Sequence, residues 1–298
     1  VRGREVFRIY GPVGGIMAAE RAADAGTEAW LAAVRRAVEA LSAAIGDILP
    51  VQTCCPVPAA NLIGEAAMLR GLEQGMLDMH DEPALLHRLM AFLARGAMEE
   101  LDALESGGHL TLNNRNQYTD SGGIGYTRGL PTAARASALA AGAAPVAADL
   151  WGFGVAQEAS GVSPEHHEEF ILEHQLPYLE RFGLVAYGCC EPYTRKFDML
   201  KRRIPRLRRV SVSPWCDLTT AVEALGDRYV FSWKPNPAML ADRFDPEHVR
   251  AYLRGALERT RGCRLEIVLK DTFTVQGDAR RFVEWTRIAR EEIDRASG

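Results

Sequence analysis

Short apolar runs alternate along this chain with longer stretches in which apolar residues recur every three or four positions. The Ala-rich stretch 27–45 carries Trp30, Val34, Val38, Leu41 and Ile45 at helical spacing and predicts a helix. Helices are also predicted over 65–77 and 83–104, the second with Leu86, Met90, Leu93, Ala97 and Leu101 on one face. Ser163-Pro164-Glu165 is a helix start, with Ser as cap, Pro at the first position and an acid in the first turn; the helix runs over 164–182, and Pro177 kinks or divides it. Asp217, Asp245 and Asp278 open three more helices, a short one that stops at Gly226 and two over 246–260 and 279–294. Between them, the short apolar runs 49–53, 109–112, 150–155, 184–188, 209–213, 229–233 and 265–269 predict strands, and Val6–Tyr10 is a further candidate.

Strand and helix in repeated alternation imply a parallel sheet. No G-x-G-x-x-G follows a strand and no G-x-x-x-x-G-K-[ST] occurs, so a nucleotide-binding open sheet has no fingerprint here. A closed α/β barrel is the favoured fold, as one domain over 1–298, since no linker-like tract interrupts the chain. The irregular segment 115–145 contains Ser121-Gly-Gly-Ile-Gly-Tyr126. Its glycines permit hinge dihedrals, and the loop 113–126 is expected above the barrel mouth as a lid or wall.

Composition narrows the function. The 298 residues are 47% hydrophobic and 25% charged, with a net charge of −4, which gives no case for nucleic acid or a membrane surface. No apolar run approaches the ~18 residues of a membrane span. The first residues, VRGREVFRIYG, lack a signal peptide's apolar core, and the missing initiator Met reads as a trimmed chain or a fragment. Six cysteines are too sparse for a disulfide scaffold. The adjacent pairs Cys54-Cys55 and Cys189-Cys190 imply a reducing compartment, by default the cytoplasm.

The strand ends carry the candidate chemistry. They present Cys54/Cys55, Asn113/Asn114, Gln157/Glu158, Cys189/Cys190/Glu191, Ser213/Trp215, Lys234/Asn236 and Lys270/Asp271. One polar strand end means little, but the repetition argues for a shared site at the C-terminal face of the sheet. Because successive strand residues point to opposite sides, one Cys of each pair should face the pocket. Thiols and a carboxylate at one strand end, Cys189, Cys190 and Glu191, suit a zinc site or a thiol nucleophile at Cys189. Lys270 and Asp271 are the accompanying catalytic candidates, and Asn113, Gln157, Trp215, Lys234 and Asn236 the substrate-binding ones. Cys216 and Cys263 read as packing residues. His166 and His167, just after a helix cap, read as exposed, and the basic run 201–209 as a solvated face.

Four segments together resemble the uroporphyrinogen decarboxylase superfamily, over roughly residues 49–290: DLWGFGVAQEASGVSPEHHEEF (149–170), LVAYGCCEPYTRKFDMLKRRIPRLRRVSVSPW (184–215), YVFSWKPNPAML (229–240) and LEIVLKDTFT (265–274). The most specific parts are Ser-Pro-Glu with a following Glu-Phe, and the strand ending in Asn236-Pro237 and Leu240. The resemblance implies a (β/α)₈ TIM barrel whose first one or two strands this chain lacks, with the site in the barrel mouth. It also implies one of two chemistries. One is decarboxylation of a tetrapyrrole without a cofactor. The other is methyl transfer between a corrinoid and a thiol or methylated substrate, often with zinc.

The chain departs from both branches. Pro214 stands where the decarboxylases carry an Asp before Trp215, and Leu269-Lys270-Asp271 replaces their Gly-His-Gly. Tyr187-Gly188-Cys189 stands where the methyltransferases carry His-x-Cys, and Lys270 where they carry a later Cys, so the zinc ligands the resemblance implies are Cys189, with Glu158 as the carboxylate and Cys190, Glu191 or Cys54 as substitutes. The expectation is a corrinoid-linked methyltransferase acting on a small molecule through a zinc- or Lys-stabilised thiolate, with the corrinoid on a partner protein. Decarboxylation of a tetrapyrrole or other polycarboxylate is the alternative. A barrel that only binds a corrinoid or tetrapyrrole is the third reading. A homodimer is compatible with each.

Overall fold

The computed structural model describes residues 27–48, 51 and 57–297. Apart from Val51, the strand expected at 49–53 lies outside them, as do Val6–Tyr10, Cys54 and Cys55. The chain divides into two units at Cys55/Pro56. In the first, helix α1 spans Thr27–Ile45, the range its apolar spacing predicts.

The second unit opens with α2 (Leu62–Arg70) and α3 (Leu72–Asp81), which divide at Gly71 where one helix over 65–77 is expected. Gly71 has φ of +88°, a conformation that ends a helix and that L side chains avoid. Helix α4 (Pro83–Ser106) follows, buried along Leu86, Met90, Leu93 and Leu101. After α5 (Ala133–Ala140) the chain settles into strand–helix alternation. The elements are β1 (Trp151–Gly154), α6 (Pro164–His167), a π-helical turn (Glu168–Leu172), α7 (Glu173–Leu179) and β2 (Leu184–Tyr187). Then come α8 (Phe197–Arg203), β3 (Leu207–Val212), α9 (Leu218–Leu225), β4 (Val230–Trp233), α10 (Ala238–Ala241), α11 (Pro246–Arg259), β5 (Arg264–Ile267) and α12 (Arg280–Ser297). The expected caps are in place: Ser163, Asp217 and Asp245 accept from the first-turn N–H groups of α6, α9 and α11.

All five strands are parallel, and their order in the sheet is their order in the chain, β1-β2-β3-β4-β5. Side chains alternate between its two faces. One face is apolar: Val185, Tyr187, Val210, Val212, Phe231 and Trp233 join Leu179, Leu253 and Ile288 of the helices in the main core. Each large side chain buried there contributes about 1.5–3 kcal/mol. The other face starts apolar at Trp151 and Ala186 and becomes polar across Arg209, Ser211, Ser232 and Glu266.

The run 109–112 is not a strand. The free edge of β1 is already satisfied. Ala60 donates to Phe153 O and accepts from Val155 N near one end of β1, and the side chain of Asn113 bonds Trp151 at the other. Leu110 is still buried in the main core, so its apolar pattern reports packing rather than pairing.

Candidate functional site

The polar face is organised by Arg209. Its guanidinium is buried, with 4% side-chain exposure, and stands 2.8 Å from both Asp120 and Glu266. It also donates to Thr119 Oγ1 and Ile124 O and lies over the Trp151 ring. Arg209 therefore corrects the expectation of a solvated 201–209 run; Arg202 and Arg203 do keep to the outside, pairing with Glu168. The anions that a buried cation requires draw in the loop around Asp120. Trp151 Nε1 bonds Gly125 O as well, so the glycine-rich loop lies along this face rather than merely capping the strand ends. Its Ser121 reaches Cys189, donating to Sγ at 3.1 Å.

Beyond β2 the chain turns at Gly188, with φ of +99°. A Cβ there would sit 2.3 Å from the Tyr193 ring, so only glycine fits. Glu191 then folds back and fixes the turn. Its carboxylate accepts from Cys189 N (2.9 Å), Ala156 N (3.1 Å) and the Tyr193 hydroxyl. Ser211 Oγ donates to Cys189 O. Cys189 is thereby held with its sulfur on the side of Lys270.

Lys270 Nζ stands 3.0 Å from Cys189 Sγ and 3.3 Å from Cys190 Sγ. The two sulfurs are 3.3 Å apart. The Cys190 thiol donates to Asp271 Oδ2 at 3.0 Å, and Asp271 also pairs with Lys270 at 3.2 Å. Asp271 takes the left-handed conformation, with φ of 59°, a strained choice for a residue other than glycine. The adjoining Cys190 side chain is the main influence that brings the Cys189 thiol down from 9.0 to about 6, helped by Lys270 and Ser121 and opposed by burial. Cys190 moves the other way, pushed up by the neighbouring Cys189 sulfur, by burial and by Asp271. Burial alone would lower Lys270, but the two sulfurs outweigh it and hold the ammonium above its usual range. Lys270 thus touches both sulfurs and the Asp271 carboxylate, and Cys190 links Cys189 to Asp271.

Of the residues singled out in the sequence, Cys189, Cys190, Lys270 and Asp271 converge here. Lys234 is nearby and buried, its ammonium lowered by burial and bonded to Ser232 Oγ at 3.0 Å. The rest are engaged elsewhere or exposed. Asn113 serves the edge of β1. Asn236 accepts from Ala238 N at the start of α10. Gln157 is exposed, Trp215 is 68% exposed, and neither hydrogen-bonds the cluster among the described residues.

The four expected metal ligands do not form a site. Glu191 spends its carboxylate on the turn, and Glu158 lies against Asn61 Nδ2 at 3.5 Å. Among the described residues no group of three Cys, His, Asp or Glu side chains is arranged for a metal ion. Between the two thiols there is already a cation, Lys270, which would repel Zn²⁺. Among the described residues this set does not fit the expected zinc, and Cys54 lies outside them.

Two residues were missed: Ser121, a partner of the site, and Lys196, a buried cation outside it. Ser121 was legible only as part of a flexible loop. Lys196 follows Tyr193 in a stretch with no motif, yet it is buried, donates to Ala159 O and meets His167 Nδ1 at 3.2 Å. Burial brings Lys196 down to about 8, with Glu191 opposing. His167, expected to be exposed, is fully buried and also bonds Tyr187 Oη at 2.9 Å. The π-helical turn that follows it is a local irregularity of the kind common at functional sites. A cavity of about 230 Å³ lies beside Lys196, between Ser160–Pro164 and Pro192–Arg195, and is lined by none of the converging residues. Compared with known families and curated proteins, the chain matches no family model and no curated sequence. Among the described residues no helix is long and apolar enough to cross a membrane.

Proposed function

We propose that this chain is an enzyme in which Cys189, held as a thiolate by Lys270, is the nucleophile of a methyl transfer. The observation that carries the reading is the 3.0 Å contact between Lys270 Nζ and Cys189 Sγ just past the ends of two different strands. A thiolate, not a thiol, attacks carbon, and an adjacent ammonium keeps it deprotonated at neutral pH. The Cys189 sulfur forms the bond to the methyl carbon while the bond to the donor breaks and its electron pair leaves with the donor. Ser121 and Lys270 aim the sulfur, and Cys190 stays protonated against Asp271. A corrinoid carried by a partner protein is the methyl source that the sequence resemblance suggests.

The strand order supports a partial (β/α)₈ barrel as the setting. A doubly wound sheet reverses its order at the ligand crevice, and these five strands do not. The polar face would then be the barrel interior and the Cys189 cluster its mouth. Two adjacent reduced thiols suit the cytoplasm.

A second reading, decarboxylation of a polycarboxylate, is favoured by Lys234. Its buried ammonium bonds Ser232 and has no carboxylate within 4.0 Å among the described residues. With Lys270 it could hold two substrate carboxylates. The two readings separate in one experiment. Isotope-labelled methylcobalamin with a thiol acceptor should label Cys189 or the acceptor, and Cys189→Ala should abolish transfer. Undiminished transfer in Cys189→Ala, or CO₂ release from a tetrapyrrole polycarboxylate that depends on Lys234 and not on Cys189, would replace the first reading with the second.

A further inference from the structure

We infer that Cys189 and Cys190 form a two-point binding site for a neutral, trivalent thiophilic species, and that arsenic(III) compounds of the type R–As=O are the chemical class that fits. The inference stands on the geometry of the two thiols and does not depend on which group the enzyme transfers.

Three features select this ligand. The first is the span between the sulfurs, 3.3 Å. A tetrahedral metal with bonds to sulfur of ~2.3 Å needs its sulfurs ~3.8 Å apart, whereas a span of 3.3 Å closes the angle at the bridging atom to about 90°. That narrow angle belongs to a pyramidal centre with a lone pair, which is the geometry of trivalent arsenic. The second feature is charge. Lys270 stands 3.0 and 3.3 Å from the two sulfurs, which disfavours a divalent cation and leaves a neutral compound untouched. The third is the adjacency of the two cysteines. Adjacent Cα atoms are about 3.8 Å apart across a trans peptide, and a disulfide ordinarily spans at least about 4.4 Å. The only cis peptide among the described residues is Leu130-Pro131, so the bond between the cysteines is trans. An internal disulfide is therefore strained, and the pair persists as thiols free to take a ligand. Access is through Cys190 and Asp271, the half-buried and exposed members of the cluster.

The condensation balances with the groups in contact. The Cys189 thiolate attacks arsenic, and Lys270 gives a proton to the arsenic-bound oxygen. Cys190 passes its proton by way of Asp271 to the same oxygen and forms the second As–S bond. Two As–S bonds form, the As=O bond breaks, the oxygen leaves as water, and no oxidation state changes.

Phenylarsine oxide tests this on the full chain carrying Cys54→Ser and Cys55→Ser, which removes the other adjacent pair. Intact mass should show one adduct lacking one water, mapping to the peptide that holds both 189 and 190. The adduct should survive excess 2-mercaptoethanol and be stripped by 2,3-dimercaptopropanol. Cys190→Ser should weaken binding by about 10²-fold or more, since two-point attachment becomes one-point. Peptide mapping on the protein with both thiols intact keeps the test independent of how the Ser variant folds. An adduct on Cys216 or Cys263 instead, an affinity unchanged in Cys190→Ser, or a 189–190 disulfide that persists under monothiol would overturn the inference.

Discussion

The carboxamide of Asn113 bonds both backbone groups of Trp151, accepting from its N–H and donating to its C=O, each at 2.9 Å. A side chain here makes the ladder contacts that a neighbouring strand would otherwise make. It accounts for the absence of a strand at 109–112 and gives an Asn at an apparent strand end a role in holding the fold.

Asn113→Ala should therefore cost stability rather than chemistry. It leaves the N–H and C=O of a buried strand residue without this partner, at a cost of about 1–3 kcal/mol. Urea denaturation should show a lower midpoint with an unchanged slope. A midpoint equal to the parent protein's would mean that water replaces the carboxamide at no cost.

The Cys189 cluster makes a prediction about pH. With the thiol brought to about 6, chiefly by Cys190 and then by Lys270 and Ser121, iodoacetamide should modify Cys189 with a half-maximal rate near pH 6. Lys270→Met removes the cation that favours the thiolate, so the midpoint should move upward by a unit or more. Peptide mapping after timed alkylation gives both midpoints. An unmoved midpoint would assign the lowered value to Cys190 and Ser121 alone.

The periodic signals in the sequence were the reliable ones. The strands that overlap 150–155, 184–188, 229–233 and 265–269 and the long helices over 27–45 and 83–104 follow directly from apolar spacing, which burial of one face enforces. Cys189, Cys190, Lys270 and Asp271 were legible because parallel strands bring their C-terminal ends together. What the sequence could not show was the partner of each polar group. Nothing local distinguishes Arg209, fully buried, from Arg202 and Arg203 on the surface. Likewise Glu191 reads as a ligand until the N–H groups of Ala156 and Cys189 are placed beside it.

Arg209 should be among the least replaceable residues of the polar face. Arg209→Met would leave Asp120, buried, and Glu266, partly buried, without their cation, and removing one partner of such a network costs about 3–5 kcal/mol. The loop that Arg209 holds through Thr119, Asp120 and Ile124 should open at the same time, exposing 115–126 to limited proteolysis. The triple variant Arg209→Met, Asp120→Asn, Glu266→Gln should recover part of the stability. If the single variant unfolds at the parent's denaturant midpoint and resists protease equally, Arg209 is not what holds the loop.

His167 ties the stability of the fold to pH in the acid range. Lys196 Nζ donates to its Nδ1, so its proton sits on Nε2 and faces Tyr187 Oη, whose own hydrogen goes to Gln175 Oε1. Burial, and then the Lys196 charge, bring His167 from 6.5 to about 3. Above pH 6.5 the ring is neutral in both folded and unfolded chains and favours neither. As pH falls from 6.5 toward 3, the unfolded chain binds a proton that the folded chain refuses. Stability is therefore present above the unfolded value and is lost progressively across that window. Glu292, held down to about 2 by Arg254 and Arg250, loses its contribution in a lower window, from about 4.5 toward 2. His167→Gln keeps a polar side chain in the chain of hydrogen bonds and removes the titration. Urea midpoints measured from pH 8 to pH 4 should fall less steeply in the variant, with the two curves diverging below pH 6.5. Parallel curves would show that His167 takes up its proton in the folded state as readily as in the unfolded one.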